Sequence, residues 1–381
     1  MTMTQEQVLA KALYIHIPFC RSICSYCDFY KMVAKESLKE KYVDYLLKEI
    51  QIKRSGFGDL KTIYIGGGTP SSLNLLLLEK LLRGLQECIS FEQIEEFTLE
   101  ANPNDINSDL LEILSKYGVN RISLGVQSFS ERKLRVLKRG HNRKDVRKAM
   151  QLLKDYGFDN VSVDLIFGVG EEDYRTFRRD INLAIRYGAR HLSPYTLIVE
   201  EKTILHKLVG EGKFFEMNPD REARFYSKIQ WHLQKKGFSQ YEISNFAKPG
   251  YECRHNLVYW NNEPYFGLGA GASGYLENTR YTNVANLDSY FKGIDSGELF
   301  LSETTTLSKT DQMNEELMLG LRKVEGISLD HFQTKFGCNL ISAFPFIEKL
   351  LSQGFLTLQS DRLYIPIEKL YLSNEVLVNF V

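Results

Sequence analysis

Long apolar runs are missing from this 381-residue chain: nowhere do ~18 uninterrupted apolar residues occur. The opening MTMTQEQVLAKALYIHIPFC has no charged lead followed by ~7–15 apolar residues and a small-residue cleavage site. Neither a membrane span nor a secretory leader is expected, and the expectation is a soluble, cytoplasmic protein. A net charge is missing too. Lys plus Arg number 48 and Asp plus Glu 48, so there is no overall field to hold nucleic acid or an anionic membrane by counterion release. Cysteine is scarce: six in so long a chain are too few for a secreted disulfide framework. There is no low-complexity tract, no Pro/Ser-rich linker and no internal repeat beyond the alternation described next.

What is present is ample core material. At 43% hydrophobic, the chain can bury one core of ~250 residues and still supply a second, smaller domain. Up to about residue 198, six short β-branched or aromatic runs each precede a helix-like stretch: LYIHIPF, TIYIGGG, EFTLEAN, RISLGVQS, NVSVDLIFG and HLSPYTLI. Right-handed βα units of this kind give a parallel sheet. Six of them give an α/β fold, an open partial (β/α)6 barrel, with the chemistry at the carboxyl ends of the strands. Asn74, Ser108 and Ser130 are expected helix N-caps, and Tyr117-Gly118 and Tyr156-Gly157 expected helix ends. Beyond 198 the rhythm is helical, then Gly- and aromatic-rich, and the tail LLSQGFLTLQSDRLYIPIEKL suggests a helix leading into a hairpin. The expected division is residues 1–300, the barrel with its extension, and 301–381, a small helix-rich domain of winged-helix type.

Three of the six cysteines crowd into Cys20-Arg-Ser-Ile-Cys24-Ser-Tyr-Cys27. Three thiolates on one short loop can hold three irons of a [4Fe–4S] cube and leave the fourth iron open to a small molecule. A zinc site completed by His16, or three unrelated buried thiols, are the alternatives. At the ends of the other strands stand Gly66-Gly67-Gly68-Thr69, Glu100 and Gln127, with Asp164 inside an apolar strand and Arg139 nearby. Glycines admit a ligand close to the backbone, and the carboxylates, amide and guanidinium can hydrogen-bond one.

The C-x3-C-x2-C spacing, with Tyr26 before the last cysteine, resembles the radical-SAM superfamily. YIHIPFC, YCDFY, GGGTPS, LEANP, RISLGVQSF, YEISNFAKPGYECRHNLVYW and GLGAGA extend the likeness over nearly the whole chain. Together they resemble the HemW-type proteins, relatives of oxygen-independent coproporphyrinogen III oxidase. The resemblance implies a radical-SAM partial barrel with a HemW-like C-terminal domain. It also implies a cluster on Cys20, Cys24 and Cys27 whose open iron binds S-adenosylmethionine (SAM), cleaved by one electron to a 5′-deoxyadenosyl radical. The SAM contacts it implies are Tyr14, Gly66, Gly67, Gly68, Thr69, Glu100, Gln127, Arg139 and Asp164. The oxidase branch has a fourth cysteine two residues beyond the third and a longer N-terminal segment. This chain has Phe29 there, and 19 residues before Cys20. His255-Asn256-Leu257-Val258-Tyr259-Trp260 matches the H-N-x-x-Y-W signature implicated in haem binding in the HemW branch. His255 is then the candidate haem ligand, with Tyr259 and Trp260 flanking the porphyrin and Arg254 pairing a propionate. Cys253, His191 and His141 are further candidates. The implied function is a haem chaperone that passes haem to acceptor proteins, with a homodimer left open. The alternatives are coproporphyrinogen III oxidation and radical-SAM chemistry on an unrelated substrate. One departure stands out: the fifth strand continues as DLIFGVGEED where relatives commonly have Leu-Pro after the glycine, so the loop after Asp164 is expected to be shaped differently.

Overall fold

The computed structural model describes residues 10–58, 60–298 and 300–380. They fall into two compact units, 1–218 with 264–305, and 219–263 with 306–381.

In the first unit every expected βα pair is present. The order is β1 (Ala12–Ile17), α1 (Glu36–Lys53), β2 (Thr62–Gly67), α2 (Leu75–Gln86), β3 (Glu96–Ala101), α3 (Ser108–Lys116), β4 (Arg121–Gln127), α4 (Glu131–Val136) and α5 (Arg143–Asp155), then β5 (Val161–Phe167), α6 (Tyr174–Arg186), β6 (His191–Thr196) and α7 (Ile204–Gly210). Strands β1 to β6 lie side by side in sequence order, each parallel to the next. The helices form for ordinary reasons. In α2 the buried Leu77, Leu78, Leu81, Leu82 and Leu85 make one apolar stripe, and the Asn74 side chain caps the first turn by accepting from Leu77 N at 2.9 Å. The cap of α3 is Asn107 rather than Ser108: its carboxamide accepts from Leu110 N, which puts Ser108 inside the first turn. Ser130 occupies the cap position of α4 without a side-chain cap bond. Gly118 and Gly157 end α3 and α5 in the left-handed region, which a glycine enters without a Cβ penalty.

The chain then gives the second unit α8 (Pro219–Lys235), β7 (Ser239–Gln240), β8 (Phe246–Ala247) and α9 (Arg254–Trp260). It returns to the first unit with β9 (Tyr265–Leu268), β10 (Ser273–Leu276), β11 (Thr279–Asn283), α10 (Leu287–Ser296) and β12 (Leu301–Thr306). Strand β9 pairs in parallel with the free side of β1, and β10, β11 and β12 follow outward. The six-stranded sheet is therefore extended at its β1 edge.

The cut at 305/306 lies close to the expected 300/301, but the segment 219–263 groups with the C-terminal part, not with the barrel. The reason is packing. Ile243 joins an apolar core built on Leu317, Phe332, Phe344, Leu363 and Phe380, the Tyr226 ring lies 4.7 Å from that of Tyr371, and Val324 N donates to Tyr241 O. The rest of that unit is helical, α11 (Lys309–Gly320), α12 (Leu329–Phe336), α13 (Leu340–Ala343) and α14 (Ile347–Ser352), with a three-stranded antiparallel sheet of β13 (Ile327–Ser328), β14 (Thr357–Gln359) and β15 (Arg362–Tyr364). The tail thus runs from helix α14 into a β14–β15 hairpin.

Candidate functional site

The cysteine loop leaves the end of β1 and is held by backbone bonds on every side. Its neck closes through Cys20 N to Met32 O at 2.9 Å and Met32 N to Pro18 O at 2.7 Å. The glycine loop after β2 buttresses the neck, Gly68 N donating to Ile17 O and Thr69 N to Phe19 O, both at 2.8 Å. Ser25, between the second and third cysteines, donates from its hydroxyl to Val136 O at 2.7 Å and accepts from Leu205 N at 2.9 Å. The three thiols are thus presented, half-buried, on a loop tied down by these bonds.

Two donors face the sulfurs. Thr69 Oγ1 lies 3.6 Å from Cys20 Sγ, and Arg139 Nη1 lies 3.4 Å from Cys24 Sγ. Burial pushes the Cys20 and Cys27 thiols up, and each also senses the charge of its neighbouring cysteine. Bound iron supplies the positive charge that holds such thiols as thiolates. Among the described residues no three His, Cys, Asp or Glu side chains converge closely enough to chelate one ion. His16 is not free to complete a zinc site: Nδ1 pairs with Tyr14 OH and Nε2 with Tyr30 O, both at 2.9 Å.

The other site residues stand where the strand ends put them. Glu100 on β3 accepts from Tyr64 OH at 2.8 Å and from Gly67 N at 3.1 Å. The three glycines leave no room for side chains: a Cβ on Gly66 would lie 2.9 Å from the Glu100 carboxyl, on Gly67 2.5 Å from the His16 ring, and on Gly68 2.8 Å from Phe19 O. Gln127 ends β4 at φ 61, just past a register shift against β5 that lies between Gly125 and Gln127. Arg139 donates to Gly125 O at 2.5 Å and also to the Asn102 carboxamide. Asp164 is raised by burial, opposed by hydrogen bonds from Ser193 and Ser123, the latter at 3.2–3.3 Å. Tyr14 is likewise pushed well up by burial and then by Glu100. Tyr64, Ser123 and Ser193 were not among the expected residues. Tyr64 stands two places before Gly66 on β2, so period-2 alternation puts the two on one face, and Ser193 on β6 is the register partner of Asp164.

The Glu100 carboxyl is pushed up from 4.5 to about 7, first by burial. The folded chain keeps a proton there that the unfolded chain has released, so stability falls as pH rises from 4.5 to about 7 and is flat beyond. Glu100→Gln cannot ionise and should gain melting temperature relative to wild type across that window. A difference that stays constant with pH contradicts this.

The leading haem candidates, His255, Tyr259 and Trp260, lie in the second unit, on α9. His255 is fully buried, its Nε2 paired with Tyr259 OH at 2.8 Å. Arg322 lies over the Trp260 ring at 5.9 Å, and Cys253, also buried, stands at the N-cap of α9. His141 and His191 are buried in the first unit, bonded to Val126 O and Ser162 Oγ. Only Arg254 of this set is exposed.

Residues 14–184 match the radical SAM superfamily and residues 307–366 the HemN C-terminal domain. Along almost its full length the chain is similar to curated proteins named heme chaperone HemW. It is 39% identical to that of Bacillus subtilis (97% of this chain, 99% of the relative) and 37% identical to that of Lactococcus lactis (97% and 96%). To that of Escherichia coli it is 33% identical (92% of each). The chain belongs to the HemW family. The fold of this HemW-family chain is also that of the E. coli coproporphyrinogen III oxidase HemN, a radical SAM enzyme, with a TM-score of 0.84 over 99% of this chain and 91% of that one, at 20% identity. No helix among its described residues is long and apolar enough to cross a membrane.

Proposed function

We propose that this chain is a haem chaperone that carries a SAM-ligated [4Fe–4S] cluster and passes haem to acceptor proteins. The observation that supports it most is the 39% identity, over 97% of the chain, to a protein named for that function. Cys20, Cys24 and Cys27 hold the cluster, which supplies one-electron chemistry at its open iron when bound. Gly66, Gly67 and Gly68 let the amino-acid end of SAM approach the backbone. Glu100, Gln127 and Asp164 offer acceptors and an amide to its amine and hydroxyls, and Arg139 faces its carboxylate, with Tyr14 and Thr69 completing the pocket. Phe29 stands 71% exposed where the oxidase branch has its fourth cysteine, which favours the chaperone over the oxidase.

His255 is the proposed haem ligand, with Tyr259 and Trp260 flanking the porphyrin. Since its Nε2 is paired with Tyr259 OH, haem capture through that nitrogen has to break that bond and move the phenol aside. His255→Ala should weaken haem binding or shift the Soret band in a haem titration, while Cys20→Ala should remove the cluster and leave haem binding intact. Equal affinity and spectrum in His255→Ala would sink the ligand assignment and move the search to Cys253.

A further inference from the structure

The unusual GVGEED segment after β5 is not a loose loop. Its Glu172 is buried and closes the turn by accepting from Gly168 N at 3.0 Å, and its other oxygen takes Lys133 Nζ at 2.6 Å. Lys133, on α4 and 4% exposed, also donates to Ile166 O at 2.7 Å and lies 3.3 Å from Asp180 Oδ2. Asp180, on α6, accepts from Phe129 N at 3.0 Å and from Ser128 Oγ at 2.6 Å. One ammonium and two carboxylates are thus sealed together, and their remaining bonds go to the segments that follow Gln127 and Asp164.

Desolvating three charges is a poor way to gain stability, since apolar side chains of similar volume often do as well. What an apolar cluster cannot do is aim directional bonds at particular backbone atoms. Ser128 and Phe129 follow Gln127 directly, and Ile166 and Gly168 come two and four places after Asp164. The same short helix α4 ends in the carbonyl of Val136, which accepts from Ser25 in the cysteine loop, and leads to Arg139, which reaches Cys24. One helix is therefore anchored at Lys133 to two strand ends and touches the cysteine loop beyond it.

We propose that Lys133, with Glu172 and Asp180, is a positioning residue for SAM: the buried triad fixes Gln127 and Asp164 relative to the cysteine loop. The inference rests on the SAM reading given above. It makes α4 a bracket between cofactor and cluster, with no contact of its own to either.

The test uses full-length, anaerobically reconstituted protein. Lys133→Met leaves two buried carboxylates unpaired, so the neutral triple variant Lys133→Met, Glu172→Gln, Asp180→Asn accompanies it as the form that folds without charge. Leu85→Ala, in the core stripe of α2, is the control for general loss of stability. The readouts are iron content, the SAM dissociation constant by calorimetry, and the change SAM makes in the reduced cluster's EPR signal. Iron content should hold in the triple variant while SAM affinity falls about 10- to 100-fold, the range seen when outer-shell partners of metal-site ligands are removed. Leu85→Ala should lose melting temperature and keep SAM affinity. Wild-type affinity and EPR response in a folded, cluster-loaded triple variant would overturn the inference alone, as would an equal loss of SAM affinity in Leu85→Ala. Wild-type protein indifferent to SAM would sink the SAM reading and this inference with it.

Discussion

Anaerobic reconstitution should load about four irons and four sulfides per chain, and replacing Cys20, Cys24 and Cys27 together by Ala should remove all of them. The loss is expected to be complete because the other cysteines sit elsewhere: Cys88 is held by Gln51, Cys253 is buried at the start of α9, and Cys338 packs on Met313. It should not be a folding effect. The loop's path is set by Cys20 N to Met32 O and by the Ser25 bonds, none of which uses a thiol. Circular dichroism of the triple variant should match wild type, while iron, sulfide and the cluster's visible absorbance vanish. Absorbance that survives the three substitutions would refute the cluster assignment.

The second large effect is expected from Gly67→Val. Gly67 has φ +114, a region closed to β-branched residues, and its new Cβ would lie 2.5 Å from the His16 ring. Backbone strain of this kind costs about 1–3 kcal/mol, and the displaced ring would release Tyr14 and Tyr30, its two partners. The amide that Glu100 accepts from would move as well. SAM should then no longer perturb the EPR signal of a cluster that remains bound. Gly210→Ala is the control, because a Cβ there meets nothing within 4 Å. A Gly67→Val protein with a wild-type SAM response would show that the glycine loop is only a turn.

Six strands, their parallel order and the residues at their ends were legible in the sequence because each run alternates with a helical pattern and ends in a chemical signal. The cysteine loop was legible as a crowded group of three thiols at the end of the first strand run. What was not legible is what the fold brings together from far apart. The grouping of 219–263 with the C-terminal unit depends on Ile243 finding the core around Phe332 and Phe380, a contact no local pattern announces. Lys133, Glu172 and Asp180 lie on three different elements and look like solvated charges until the fold buries them. Asn107 displaced Ser108 as a cap because two good capping residues stood side by side and sequence cannot choose between them. His255 was legible as a motif only. That its ring is buried against Tyr259 follows from the i, i+4 geometry of α9, which sets the two side chains on one face.

The coproporphyrinogen III oxidase HemN has the same fold, and one paired measurement separates the oxidase reading from the chaperone one. Wild-type protein is reconstituted anaerobically, reduced, supplied with SAM, and then given haem in one arm and coproporphyrinogen III in the other. Saturable haem binding with a defined Soret shift, and no decarboxylated porphyrinogen above the no-protein control, is the predicted result. Efficient SAM-dependent turnover of coproporphyrinogen III, with no saturable haem binding, would contradict the chaperone reading outright.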